Sequence, residues 1–279
     1  MVQNNPLQQY FRQPAIYIRL PSQGNFYPEG TLDMPPNGEI PVFAMTALDE
    51  ITYRTPDALF NGSAVISVIQ SCIPNIKNAW VIPAIDVDTI LISIRIASYG
   101  HELEVSTRCP KCGTDAEHGL DMRTVLDRMK APDYQESLLH RDMEFFFRPM
   151  TYKDLNENNQ MQFEEQRVLQ TLTNAEASEE DKVKAMSDAL KKITELTVKA
   201  MTLSIAAIKT PSALVTEKVF IEDFLKNCEK NLFDQIRDRV INLKGQSEIQ
   251  PLQIKCGECS NEYQQAITLD MASFFADAS

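Results

Sequence analysis

The chain has 279 residues, 43% of them hydrophobic and 24% charged, which is the composition of an ordinary globular protein with room for one large core or two smaller ones. Its net charge of −12 argues against a mainly electrostatic nucleic-acid binder, because phosphate contacts need clustered Lys and Arg. Pro83, Asp86, Asp88 and Arg95 break the longest apolar runs, so no membrane span is expected, and "MVQNNPLQQYFRQPAIYIRL" lacks a signal-peptide pattern. The expectation is a cytosolic protein with reduced cysteines.

Residues 1–14, rich in Gln and Asn, read as a flexible arm. "IYIRLPSQGNFYPEGTLDMPPNGEIPVF" follows, short alternating strands between Pro- and Gly-marked turns. Thr46 and Asp49 form a capping-box-like start for a helix at "MTALDEITYR". A second helix fits "PDALFNGSAVISVIQSCI", entered at Pro56 and weakened at Gly62. A third fits "DVDTILISIRIASYG", stopped by Gly100. "HELEVSTR" alternates as a strand and ends at Cys109.

The order then recurs. "FFFRPMTYKDLNE" echoes "PVFAMTALDE", helices follow, and "IQPLQIK" leads as a strand into Cys256; Leu-Asp-Met comes after each Cys pair, at 120–122 and 269–271. The repetition predicts an internal duplication, with halves near 41–128 and 144–275. The expected organisation is an arm (1–14), a first unit (15–128), a linker (129–143) and a second unit (144–279). The fold class is α+β, mainly helical with short antiparallel strands.

Two long helices distinguish the second unit. The first, starting at Ser178, places Val183, Met186, Leu190, Ile193, Thr197 and Ala200 at alternating spacings of three and four, a heptad-like stripe. It packs either on its own domain or on another chain. The other, "EKVFIEDFLKNCEKNLFDQIRDRVINLKG", aligns Ile221, Phe224, Leu225, Cys228, Leu232, Ile236 and Val240 and stops at Gly245. Cys72 and Cys228 lie on apolar faces and read as small core residues.

The other four cysteines, Cys109 and Cys112 in "CPKCG" and Cys256 and Cys259 in "CGEC", form two Cys-x-x-Cys knuckles. Each turn presents two thiolates, and two knuckles complete the tetrahedral set that structural zinc prefers. The favoured reading is one Zn2+ per chain held by all four, a zinc ribbon joining the two repeats. Such a closed site stabilises a fold and leaves no position for catalysis. Three others stand beside it: separate metals completed by local histidines (His101 and His118 lie near the first knuckle, but none follows His140), thioredoxin-like redox pairs, and knuckles pairing between chains.

No Gly-rich phosphate loop, G-x-S-x-G or H-E-x-x-H occurs, and the three histidines have no nucleophile partner in sequence. Trp80 reads as a core anchor or an interface residue. The chain is expected to be non-enzymatic.

"LPSQGNFYPEG", "MTALDEI…TPDALFNG", "IQSCIPNIKNAW", "IRIASYG", "CPKCG" and "FFRPMTYKDLNE" together resemble baseplate proteins of T4-like contractile-tailed phages, most closely the small group needed to assemble the central hub. The resemblance implies a structural or assembly protein that binds other baseplate, hub or tape-measure proteins. It would be found in the host cytoplasm during assembly and in the virion tail baseplate. Homo-oligomerisation is compatible with it. A zinc-ribbon adaptor in transcription or nucleic-acid handling is the alternative, disfavoured because only Arg108, Lys111 and Lys255 flank the knuckles, with no continuous basic stripe.

Overall fold

The structure, a computed structural model, describes residues 6–55, 62–174 and 179–266. The helix start expected at Pro56, the cap expected at Ser178, the Val183 side chain and the Leu-Asp-Met at 269–271 lie outside the described residues. The fold is α+β, with eight α-helices and short antiparallel strands among the described residues.

Two compact units emerge. One combines Met1–Ala79, Asp86–Lys130 and Glu248–Ser279; the other combines Trp80–Ile85 and Ala131–Ser247. This division differs from the chain-order halves expected at 15–128 and 144–279. The segment carrying Cys256 and Cys259 belongs with the first unit, because its contacts in space are with residues near Cys109 rather than with the helices that precede it in sequence.

In the first unit, β1 (Pro14–Ile18) pairs antiparallel with β2 (Ile40–Phe43). The loop between them bends through positive φ at Gln23, Gly24 and Phe26. Gly24 sits at φ +84°, a left-handed conformation that a side chain would strain. Helix α1 (Ala47–Tyr53) begins with the expected capping box: Thr46 Oγ1 accepts from the Asp49 N–H at 3.2 Å, and Asp49 accepts from the Thr46 N–H at 2.8 Å. Asp49 also accepts from the Ser71 hydroxyl and Arg12, and Arg12 donates to the Ser71 and Ala44 carbonyls. Arg12 is thus held, although its segment read as a flexible arm.

Helix α2 (Ser63–Cys72) starts after Gly62, whose φ of +78° suits a residue without a Cβ. It buries Ala64, Val65, Ile66, Val68, Ile69 and Cys72. Helix α3 (Ala84–Tyr99) is apolar on nearly every side, as a helix enclosed by its neighbours must be, with Ile90, Leu91, Ile92 and Ile94 all buried. Its buried polar groups are paired. Asp86 accepts from the Ser22 N–H (2.8 Å), the Ser22 hydroxyl (2.5 Å) and the Tyr27 hydroxyl (3.1 Å). Arg95 donates to the carbonyls of Gly100 and Glu102, which closes the helix end. Three elements complete this part: β3 (Glu102–Arg108), β4 (Asp115–Asp121) and the short α4 (Met122–Leu126), capped by Asp121.

The second unit is built on a four-stranded antiparallel sheet, ordered β5 (Leu138–His140), β6 (Met143–Phe147), β7 (Ile205–Lys209), β8 (Leu214–Val215). Helices α5 (Tyr152–Asn174) and α6 (Glu179–Ser204) connect β6 to β7. Helix α5 opens on Thr151 and Asp154, which exchange the same bonds as Thr46 and Asp49. The Trp80 ring sits 5.9 Å from that of Tyr152, fitting a core anchor. Phe145, Phe147, Val198, Met201, Ile205, Ile221, Leu225, Leu232 and Ile236 form the core.

Two helix expectations change. The single helix over 217–244 is α7 (Lys218–Asn227) and α8 (Lys230–Ser247), separated where Cys228 turns extended at ψ 162°. Gly245 lies inside α8 rather than stopping it. The apolar stripe survives the break because both helices turn the same residues to one core. The heptad stripe of α6 is not covered throughout: Met186, Leu190 and Ile193 are 54%, 57% and 44% exposed. The helix packs instead through Ala189, Val198, Met201 and Thr202. Lys218 donates to the carbonyls of Thr202 and Ile205 at the end of α6, and burial, aided by Arg148, pushes its amine down to about 8.

Candidate metal centre

The hairpin β3–β4 runs in continuous register from Glu102↔Asp121 to Arg108↔Asp115, and "CPKCGT" is its turn. The hairpin of β9 (Leu252–Lys255) and β10 (Glu262–Gln265) does the same from Leu252↔Gln265 to Lys255↔Glu262, around "CGECSN". The two turns share the same pair of backbone bonds. Cys109 N–H donates to the Thr114 carbonyl at 2.9 Å and Gly113 N–H to the Cys109 carbonyl at 2.9 Å. Cys256 N–H donates to Asn261 at 2.9 Å and Ser260 N–H to Cys256 at 3.0 Å. The left-handed position is Gly113 (φ +73°) in the first turn and Ser260 (φ +56°) in the second. The Thr107 and Tyr263 hydroxyls, 2.9 Å apart, tie one hairpin to the other.

This arrangement gathers all four sulfurs. Cys109 Sγ is 3.7 Å from Cys259 Sγ, Cys112 Sγ is 3.6 Å from Cys256 Sγ, and all four lie within 4.8 Å of one another. A tetrahedron with Zn–S bonds of about 2.3 Å has edges of about 3.8 Å, so the sulfur set fits a Zn2+-sized cation. Cys109 and Cys256 are buried and Cys112 is exposed.

The thiols titrate unevenly. The Thr114 hydroxyl and backbone N–H hold the Cys112 thiol down to about 6. The Asn261 N–H pulls Cys259 the same way, but burial and the neighbouring sulfurs outweigh it and push that thiol up to about 12. Crowded sulfurs resist becoming thiolates together; a divalent cation removes that resistance by replacing the shared protons. Four thiolates also close the coordination sphere, so such a site can hold a fold together but offers a substrate no vacancy.

No histidine joins the sulfur cluster among the described residues. The His118 ring, on β4, has a buried Nε2 without a hydrogen-bond partner among the described residues. Cys72 is buried, its sulfur accepting from Arg12 at 3.9 Å, and Cys228 is half-buried; burial raises the thiol of each. Arg108 is exposed, donates to the Gly113 carbonyl at 3.2 Å and lies 3.8 Å from Asp115. Three contacts had no sequence signal: the Thr107–Tyr263 link, the role of Thr114 beside Cys112, and the buried Asp86. Among the described residues no helix is long and apolar enough to cross a membrane.

Two hairpins with matching turns thus bring four cysteines into one cluster able to hold a metal. The family model described as T4 bacteriophage base plate protein matches residues 44–276, and the chain belongs to that family. It is a structural protein of a bacteriophage tail. No match was found among curated proteins or among solved structures.

Proposed function

We propose that this chain is a zinc-stapled structural or assembly protein of the hub region of a contractile-tail baseplate. On this reading Cys109, Cys112, Cys256 and Cys259 hold one Zn2+ per chain. The observation that carries the staple is the pair of cross-hairpin sulfur distances, 3.6 and 3.7 Å, close to a tetrahedral edge. The family membership supports the tail assignment, and the resemblance of its segments to the hub-assembly group supports the hub. Its partners are other baseplate, hub or tape-measure proteins, met in the host cytoplasm during assembly and retained in the virion baseplate.

The repeated architecture is best understood as an internal duplication. The identical knuckle bonds and the matching caps at Thr46–Asp49 and Thr151–Asp154 support it. Native mass spectrometry of the tagged chain, purified gently from its infected host, tests the proposal. One zinc per chain within a complex of tail proteins is expected. A metal-free chain with no tail partner would overturn it, and a chain carrying nucleic acid would favour the adaptor alternative.

A further inference from the structure

Each knuckle offers two thiols to a metal, and close sulfur contacts also cross from one knuckle to the other. Cys112 pairs with Cys256 at 3.6 Å and Cys259 with Cys109 at 3.7 Å. Each pair combines a more accessible sulfur, Cys112 or Cys259, with a buried one, Cys256 or Cys109. A disulfide has an S–S bond of about 2.0 Å, so each pair needs to close by only about 1.6 Å. The backbone of both hairpins is already joined beside the site through Thr107 and Tyr263.

We propose that oxidation replaces the metal staple with two cross-hairpin disulfides, Cys109–Cys259 and Cys112–Cys256. This rests on the metal reading given above and adds to it what happens when the metal is lost. The oxidant is a low-molecular-weight disulfide, RSSR. The Cys112 thiolate attacks one sulfur of RSSR, forms a mixed disulfide and expels RS−. The Cys256 thiolate then attacks the Cys112 sulfur, forming the Cys112–Cys256 bond and expelling the second RS−. The accessible Cys259 and buried Cys109 react likewise. In total four cysteine thiolates lose four electrons, two RSSR gain them as four RS−, and the metal leaves as an unchanged divalent cation. The hairpins stay joined throughout, so a protein assembled in a reducing cytoplasm keeps its first unit closed in an oxidising medium.

The test uses the full zinc-loaded chain treated with oxidised glutathione. Zinc release is followed with a chromogenic chelator, and the remaining thiols are alkylated. Cleavage after Lys111 and after Glu258 places each of the four cysteines on its own peptide, so the connectivity can be read by mass. The expected result is loss of four of the six alkylatable thiols in step with zinc release, with peptides joined 109 to 259 and 112 to 256. Cys112→Ser should leave only the 109–259 link. Links of 109 to 112 and 256 to 259, or glutathione adducts without cross-links, would overturn the inference. A chain that binds no zinc at the outset would count against the metal reading instead, and the same mapping on that chain would still decide the pairing.

Discussion

Asp86, in the first unit, is fully buried at 0% exposure, and it offers a sharp test of how this fold treats charge. Burial pushes its acid up to about 6 from an ordinary 3.8, against the opposing bonds from Ser22 and Tyr27. Because the folded-state value is the higher one, the folded chain binds more protons than the unfolded chain between about pH 4 and about pH 6. The group's contribution to stability is therefore fully present below the unfolded value and is lost as pH rises through about 6. The difference corresponds to about 3 kcal/mol. Asp86→Asn keeps the shape and a carbonyl acceptor for the Ser22 N–H, and its amide can donate to the Ser22 and Tyr27 hydroxyls once they rotate. Urea unfolding of both proteins across this range should show near-equal stability at about pH 4 and a variant favoured by up to about 3 kcal/mol at about pH 7. A stability difference that does not change with pH, or a variant that is weaker at neutral pH, would refute the argument that burial outweighs the three hydrogen bonds.

Cys109→Ser or Cys256→Ser should each abolish stoichiometric zinc binding and expose both hairpins to protease together, whereas Cys228→Ser should leave the metal in place; metal content and limited proteolysis decide this. Thr46→Ala and Thr151→Ala should each cost about 1 kcal/mol in unfolding experiments, since each removes one side-chain cap of the same geometry. Ile236→Ala, at a fully buried position in the second unit, should cost about 2–5 kcal/mol by the same measurement.

Features set by a few neighbouring residues were legible before any fold was known. Thr46 and Asp49 announce a helix start because the bonds that cap it span three residues. The Cys-x-x-Cys turns are equally local, and Gly100 ends α3 at a φ of +90° that most other residues avoid. The break between α7 and α8 was not legible, because no Gly or Pro marks Cys228. Asp86 looked like an ordinary acidic residue in a first helical turn, since its partners Ser22 and Tyr27 lie about sixty residues away.

The sequence by itself determined the α+β class, the caps, the turns and the two metal-competent knuckles, because local geometry and residue chemistry suffice for each. The tertiary structure alone decided which faces are covered and which sulfurs meet. Periodicity reveals that Met186, Leu190 and Ile193 share one side of α6, but only the packing of distant segments shows that they remain exposed. Likewise, the meeting of Cys109 with Cys259 and Cys112 with Cys256 is made across 150 and 144 residues of chain. The local sequence around either knuckle cannot specify that distance; the antiparallel hairpins and their shared contact at Thr107 and Tyr263 do.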